Sequence, residues 1–248
     1  MSLAEDTKLA AALAEAAGRI ALAVRASGLV EGRGLGDAGD KAANAFLMPA
    51  LRQHRPDDGI LSEESEDSAE RLSHDRVWII DPVDGTREFA EGRDDWAVHV
   101  GLSINGEAQV GAVALPDLGL VLSSDAAGGR AAEATGKMVV SRSRAPALAD
   151  DVARKVGLEL VGMGSAGAKA MAVVRGEADA YLHSGGQYEW DNCAPVAVAQ
   201  AHGLHCSRID GSALRYNRAE ALSPDLLICH RELAEPLLGA IASAQATA

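Results

Sequence analysis

From Leu3 to Ala26, apolar side chains recur at three- and four-residue spacing and stop at Ser27-Gly28, which predicts one long amphipathic helix. Glu31–Gly39 is glycine-rich and reads as a flexible loop, with Asp40 placed to cap a second helix over Ala42–Arg52. Strand signals follow at Val77–Ile80, Ala97–Ile104, Val110–Leu115 and Gly119–Ser123. Asn105-Gly106 supplies a hairpin turn and Pro116-Asp117 another. The first half therefore reads as helices plus an antiparallel sheet.

Beyond Asp125–Gly136, a Gly/Ala-rich stretch expected to be mobile, the elements alternate. Strands at Met138–Ser141, Leu158–Met163, Ala180–His183 and Leu226–Cys229 are interleaved with helices at Ala147–Val156, Ala166–Arg175, Asp191–Ala201 and Glu232–Ala242. Such alternation predicts a partly parallel sheet covered by helices. The chain divides naturally into 1–137, an α+β half, and 138–248, an α/β half. It contains no internal repeat.

Acidic side chains number 36 against 23 basic ones, a formal charge of −13 without any Lys/Arg cluster, which argues against nucleic-acid polymers and anionic membranes as partners. An acidic protein that handles phosphate needs cations at the site. Cys193, Cys206 and Cys229 are odd in number and irregularly spaced, as expected of reduced thiols. There is no signal-peptide pattern and no apolar run long enough for a membrane span, so a cytoplasmic location is expected.

The chemistry lies in the carboxylates. In Trp78–Phe89 an apolar strand ends in Asp81-Pro82-Val83-Asp84-Gly85-Thr86. Asp81, Asp84 and the Val83 carbonyl offer three oxygens on one turn that Pro82 stiffens, a donor set suited to a hard cation such as Mg²⁺. Glu63, in Glu63-Glu64-Ser65 after the apolar pair Ile60-Leu61, and Asp191, in Trp190-Asp191, bring enough carboxylates for two or three ions. Two such ions can activate water and stabilise both oxygens of an in-line displacement at phosphorus. A helix starting at Gly85-Thr86 would turn free N–H groups towards that phosphate.

Taken together, these three motifs resemble the lithium-sensitive, magnesium-dependent phosphatases that include inositol monophosphatase. The resemblance implies a layered α-β-α-β-α sandwich. It matches Glu63, Asp81, the Val83 carbonyl, Asp84 and Asp191 to metal ligands, and Thr86 to a threonine that helps Glu63 position the attacking water. Asp40 matches the aspartate paired with that threonine. Asp81 would bridge two ions, and Asp84 and Asp191 would serve the leaving-group side.

Where inositol phosphatases read Gly-Thr-Thr-Asn-Phe, this chain has Gly85-Thr86-Arg87-Glu88-Phe89, which is similar to the CysQ-type 3'(2'),5'-bisphosphate nucleotidases. Leu35–Asp40, Arg93–His99, Gly164–Met171 and Leu214–Asn217 resemble the actinobacterial-type branch of that group. The implied reaction removes the 3'-phosphate of 3'-phosphoadenosine 5'-phosphate. Inositol 1-phosphate and fructose 1,6-bisphosphate are the alternative substrates on this scaffold, and a homodimer is a compatible assembly. Lithium inhibition is expected from the same resemblance. A nucleotide bisphosphate needs a second anion site, for which Arg87, Lys169 and Arg215 are candidates, and a base surface, for which Tyr188, Trp190 and Tyr216 are candidates. Gly85, Thr86, Gly164, Ser165, Asp84 and Asp191 complete the substrate-binding set.

A rival reading comes from Gly162-Met-Gly164-Ser-Ala-Gly167, which fits the dinucleotide-binding fingerprint, with Asp179 downstream. It lies in the wrong half of the chain for an opening βαβ unit, and Asp179 is too near. Gly136-Lys137 is no phosphate loop, since Ala131 and Met138 occupy its defining positions. The histidines form no zinc-like pair and are expected to be structural or superficial. No G-x-S-x-G elbow supports a serine hydrolase.

Overall fold

The computed structural model describes residues 2–125 and 134–246. Helix α1 (Leu3–Ala26) begins on a reciprocal cap: the Ser2 N–H donates to Glu5 Oε2 at 2.9 Å and the Ser2 hydroxyl accepts from the Glu5 N–H. Its buried stripe of Ala10, Leu13, Ala14, Ala17 and Ala21 packs in the core beneath the first sheet.

Helix α2 (Gly32–His54) takes in the whole glycine-rich segment expected to be a loop, and Asp40 lies inside it rather than at its cap. Packing overrides composition here. Gly36 and Gly39 share one face of α2, and that face meets the short helix α3 (Thr86–Ala90). A Cβ on Gly39 would stand 2.7 Å from the Phe89 ring, and one on Gly36 3.1 Å from the Thr86 carbonyl oxygen. Asp40, one turn beyond Gly36, is carried by the same crossing towards the Asp81–Thr86 turn.

The first sheet has the order β1 (Gly59–Ser62), β2 (Arg76–Asp84), β3 (Ala97–Ile104), β4 (Glu107–Leu115), β5 (Leu120–Ser123). It is antiparallel except at one edge, where β1 runs parallel to β2. This departs from the wholly antiparallel sheet expected, because four residues are too few to show alternation. Asn105-Gly106 makes the predicted β3–β4 hairpin, and Pro116–Leu118 forms a 3₁₀ turn before β5. Strand β2 is buried on both faces, which explains its unbroken apolar run.

The second half continues as β6 (Lys137–Ser141), α4 (Ala149–Val156), β7 (Glu159–Met163), α5 (Ala166–Val174), β8 (Ala180–Tyr188), α6 (Glu189–Ala201), β9 (His205–Ser207), β10 (Leu222–Cys229) and α7 (Arg231–Gln245). Its sheet has the order β7-β6-β8-β10-β9. β6 is parallel to β7 and β8, while β10 is antiparallel to β8 and β9, so the sheet is partly parallel as expected. The three-residue β9 leaves no sequence signal. Most of the stretch expected to be mobile, residues 126–133, lies outside the described residues.

The layers run α1 and α2, first sheet, α5 and α6, second sheet, α4 and α7, which is the expected five-layer sandwich. Helices α5 and α6 close a core that contains Ala97, Val113 and Leu115 of the first sheet and Tyr181, Leu226 and Ile228 of the second. Among the described residues no helix is long and apolar enough to cross a membrane.

Helix α6 approaches the first sheet so closely that a Cβ on Gly111 would lie 2.3 Å from the Ala194 carbonyl oxygen. Backbone cannot yield as a flexible side chain would. Gly111→Ala should therefore cost about 1–3 kcal/mol of stability, as overpacking does. Thermal unfolding followed by circular dichroism checks this, and an unchanged midpoint would contradict the packing described.

Candidate active site

Asp81 and Asp84 stand three apart on a strand, which in a regular ladder would send them to opposite faces. The ladder is not regular. Asp81 pairs with His99 but Asp84 pairs with Ala97, so one extra residue is accommodated in β2, around Pro82. Proline has no N–H to donate to a ladder, and the resulting bulge returns Asp84 to the side of Asp81. Gly85 then adopts a left-handed conformation (φ 91°) from which α3 begins at Thr86, as expected.

Glu63 is placed by the parallel edge: its N–H donates to the Ile80 carbonyl at 3.3 Å, next to Asp81. Asn44 on α2 clamps that corner, accepting from the Ser62 hydroxyl at 2.8 Å and donating to the Ser65 hydroxyl at 3.1 Å. Asp191 arrives from the other half, in the first turn of α6, where Oδ2 accepts the Tyr188 N–H at 2.6 Å. One carboxylate oxygen each of Asp81, Asp84 and Asp191 lies within 4.8 Å of the other two.

These groups line a cavity of about 540 Å³, together with Glu63, the Val83 main chain, Gly85, Thr86, Arg87, Gly164, Ser165 and Lys169. Burial first, and then the neighbouring acids, push the Asp81 carboxyl well above the ordinary carboxylate range. The same causes raise Glu63, take Asp191 to about 7 and take Asp40 to about 8. Asp84 goes the other way. Burial would raise it, but His99, the Ser165 hydroxyl and the Lys169 ammonium prevail and hold it low.

Asp84 is thus supported at one oxygen, Oδ2, by two donors and a nearby imidazole. Ser165 Oγ donates to its Oδ2, the Gly167 N–H donates to the same oxygen at 2.6 Å, and His99 Nε2 lies 3.2 Å away. His99 Nδ1 stands 2.9 Å from the Trp190 carbonyl oxygen, which can only accept, so that nitrogen carries a proton. His99 is wholly buried beside Asp84 and outside the cavity lining, a structural position of the kind its sequence setting suggested. Its register position opposite Asp81 is the signal that could have found it, and register is not visible in a single chain.

The glycine fingerprint has a different use from the one the rival reading gave it. The Gly164 N–H donates to Asp95 Oδ2 at 2.7 Å and the Gly167 N–H to Asp84, so both donors hold protein carboxylates. Asp179 accepts from the Thr135 and Gly136 N–H groups at 2.8 and 2.6 Å. Ser165, which caps α5, holds φ at 45°. A non-glycine residue in that region is strained, and here it aims the hydroxyl at Asp84.

Other expected contributors are placed as follows. Lys169 is buried, its Nζ donating to the Gly164 carbonyl at 2.9 Å and to that of Ser165, with the Tyr181 ring 5.2 Å away. Arg87 reaches the cavity but is ion-paired with Glu91 at 2.9 Å. Arg215 is outside the cavity lining and pairs with Glu107, and Tyr216 is buried among Leu61, Val77, Ile79 and Cys193. Both were candidates for ligand contact. They are corrected here to surface and core, because the Leu214–Asn217 segment docks on the hairpin at Gly106. Tyr188 and Trp190 stack on each other at 4.7 Å, outside the cavity lining. Asp40 is buried with Oδ1 unpartnered, and among the described residues no hydrogen bond joins it to Thr86.

The residues fit a divalent cation on chemical grounds. The donors are hard oxygens, Asp81 Oδ1 is buried without a hydrogen-bond partner among the described residues, and mutual repulsion, which a cation would relieve, helps raise the Asp81 carboxyl.

The inositol monophosphatase family model matches residues 2–246. Over 240 residues the chain is 51% identical to a 3'-phosphoadenosine 5'-phosphate phosphatase of Mycobacterium bovis, covering 92% of this chain and 90% of that one. It is 32% identical to the 3'(2'),5'-bisphosphate nucleotidase CysQ of Escherichia coli, over 74% of this chain and 80% of the relative. The solved inositol monophosphatase of Anabaena superposes with a TM-score of 0.79 at 23% identity, covering 98% of this chain and 97% of that one, a likeness of fold.

Raised carboxylate pKa values have a definite sign. Without metal, the folded protein holds protons on Asp191 and Asp40 that the unfolded chain has already lost, so stability falls as pH rises through about 7 and 8. A cation binds the deprotonated set, and its stabilisation grows over the same window. Melting of EDTA-treated protein with and without magnesium, at about pH 6.5 and about pH 8.5, should show the larger magnesium shift at the higher pH. Equal shifts would contradict the protonated site.

Proposed function

The chain belongs to the inositol monophosphatase family, and from that premise we propose that it is a magnesium-dependent phosphatase converting 3'-phosphoadenosine 5'-phosphate to AMP and phosphate. The carrying observation is the trio of converging carboxylates with one orphan oxygen in a cleft of about 540 Å³. The relatives' substrate and the absence of any competing nucleophile motif agree with it.

In this reading Glu63, Asp81, the Val83 carbonyl, Asp84 and Asp191 hold two or three Mg²⁺ ions. The bound ions would supply the positive charge that polarises the phosphoryl oxygens and makes water acidic enough to serve as nucleophile. Glu63 and Thr86 orient the attacking water, and Asp40, reaching from α2 with the Val83 N–H facing it, steadies the turn that carries Thr86. Lys169, Arg87 and the Gly164–Ser165 loop flank the substrate. Residues 1–137 and 138–248 act as two lobes, the first holding all the proposed metal ligands but Asp191. The setting is the cytoplasm, where the unpaired cysteines stay reduced. Lithium is expected to inhibit.

Phosphate release from 3'-phosphoadenosine 5'-phosphate, inositol 1-phosphate and fructose 1,6-bisphosphate, with EDTA controls, tests the substrate. The nucleotide should be strongly preferred, and preference for either of the others would refute the reading while keeping the metal site. Asp84→Asn should lower kcat by at least about 100-fold, the upper range for disturbed metal sites, with an unchanged circular dichroism spectrum. Retained magnesium-dependent turnover in that variant would remove Asp84 from the centre.

A further inference from the structure

The part of the cavity built from the second sheet holds two groups that the mechanism leaves unused. His183 on β8 is 7% exposed and lines the cavity, and among the described residues neither ring nitrogen makes a well-formed hydrogen bond, the Gly186 main chain being its near neighbour. A buried imidazole lacking both bonds is costly unless a ligand completes it. Arg144 also lines the cavity. It lies just after β6, which runs parallel to β8 in the register Val139↔Tyr181, so the end of β6 comes level with His183.

Arg144 differs from the other cations at the cavity. Arg87 is neutralised by Glu91, and Arg142, nearby in sequence, is bound to Glu88 and Glu91. Lys169 spends two of its three N–H donors on carbonyls of its own loop. Among the described residues the Arg144 guanidinium has no ion pair, and its backbone N–H is tied to the Ser141 hydroxyl at 3.2 Å, which fixes where the side chain starts. Burial, followed by the charges of Lys169 and Arg144, lowers the His183 pKa to about 4. The ring is therefore neutral at physiological pH and offers one donor and one acceptor.

We propose that Arg144 and His183 form the subsite for the phosphate that is not hydrolysed, the 5'-phosphate of a 3',5'-bisphosphate. This rests on the nucleotide reading above. A planar guanidinium can grip two phosphate oxygens, the neutral imidazole donates to a third, and the free Lys169 donor adds charge from the buried side. The acidic cluster and this basic wall would then divide one substrate between them, attacking the 3'-phosphate at the first and anchoring the 5'-phosphate at the second.

Steady-state kinetics of the magnesium-loaded enzyme on 3'-phosphoadenosine 5'-phosphate and on adenosine 3'-monophosphate, which lacks only the 5'-phosphate, provide the test. Wild type should prefer the bisphosphate. Arg144→Ala should raise its KM about 10- to 100-fold, the size expected for a lost charge-assisted pair, leaving kcat and the monophosphate kinetics unchanged. Arg144→Lys should recover part of the loss. Arg215→Ala, outside the cavity, should change neither substrate. His183→Phe keeps the ring volume, removes both nitrogens and should weaken the same preference; an undiminished preference would remove His183 from the subsite. A full preference in Arg144→Ala would overturn the subsite and leave the substrate reading standing. A wild type without preference for the bisphosphate would overturn both.

Discussion

Crowding of like charge at the end of β2 is the constraint on which the rest of the architecture depends. One oxygen each of Asp81, Asp84 and Asp191 converges to within 4.8 Å of the others in a place with little water, where their repulsion and desolvation both oppose folding. The protein answers differently at each carboxylate. Asp84 is kept ionised by a hydroxyl, a main-chain N–H, an imidazole and a nearby ammonium. Asp81 has no such support, and burial together with the neighbouring acids pushes its carboxyl well above the ordinary carboxylate range. A cation resolves that asymmetry, so the fold stores at this point an affinity that binding releases.

That arrangement dictates where the layers must meet. Asp191 can reach β2 only if α6 lies almost on the first sheet, and the chain provides Gly111 where the Ala194 carbonyl oxygen passes over it. His99 lies between the halves, with Nε2 facing Asp84 of the first sheet and Nδ1 facing the main chain just before Asp191. A single buried ring thereby sets the spacing of carboxylates delivered by separate layers. The loop before α5 contributes in the same way, its donors directed at Asp84 and Asp95 and not at a ligand.

Polarity is distributed unevenly around the cavity, and that division gives the cleft a direction. Its end at Asp81, Asp84 and Asp191 is acidic, and among the described residues Asp81 Oδ1 there lacks a hydrogen-bond partner. The wall formed by β8 and the segment after β6 presents the Arg144 guanidinium, without an ion pair among the described residues, and the His183 imidazole. A substrate with two phosphates at fixed separation satisfies both ends, whereas one with a single phosphate leaves the second wall unanswered. Net charge conceals this, because a total of −13 does not report that Arg87, Arg144 and Lys169 all line one cavity.

Much of this was determined by the sequence itself. The long apolar strand ending in Asp81-Pro82-Val83-Asp84, with Glu63 and Asp191 elsewhere, marks the carboxylates that the fold gathers at one cavity, because their residue types and spacing are legible in the chain. The alternation of elements after residue 137 likewise carries the layered class. Tertiary structure alone decided the rest. Gly36 and Gly39 read as loop because local composition cannot report that a second helix will press against them. Asp40 lost its capping role for the same reason. His99 and His183 looked ordinary because their significance lies in strand register and in unpaired nitrogens. Arg144 differs from Arg215 in lining the cavity and from Arg87 in having no ion pair among the described residues, and neither fact is visible in the chain. Local pattern encodes which groups the site must contain, whereas their partners are set by long-range packing, which a one-dimensional reading cannot measure.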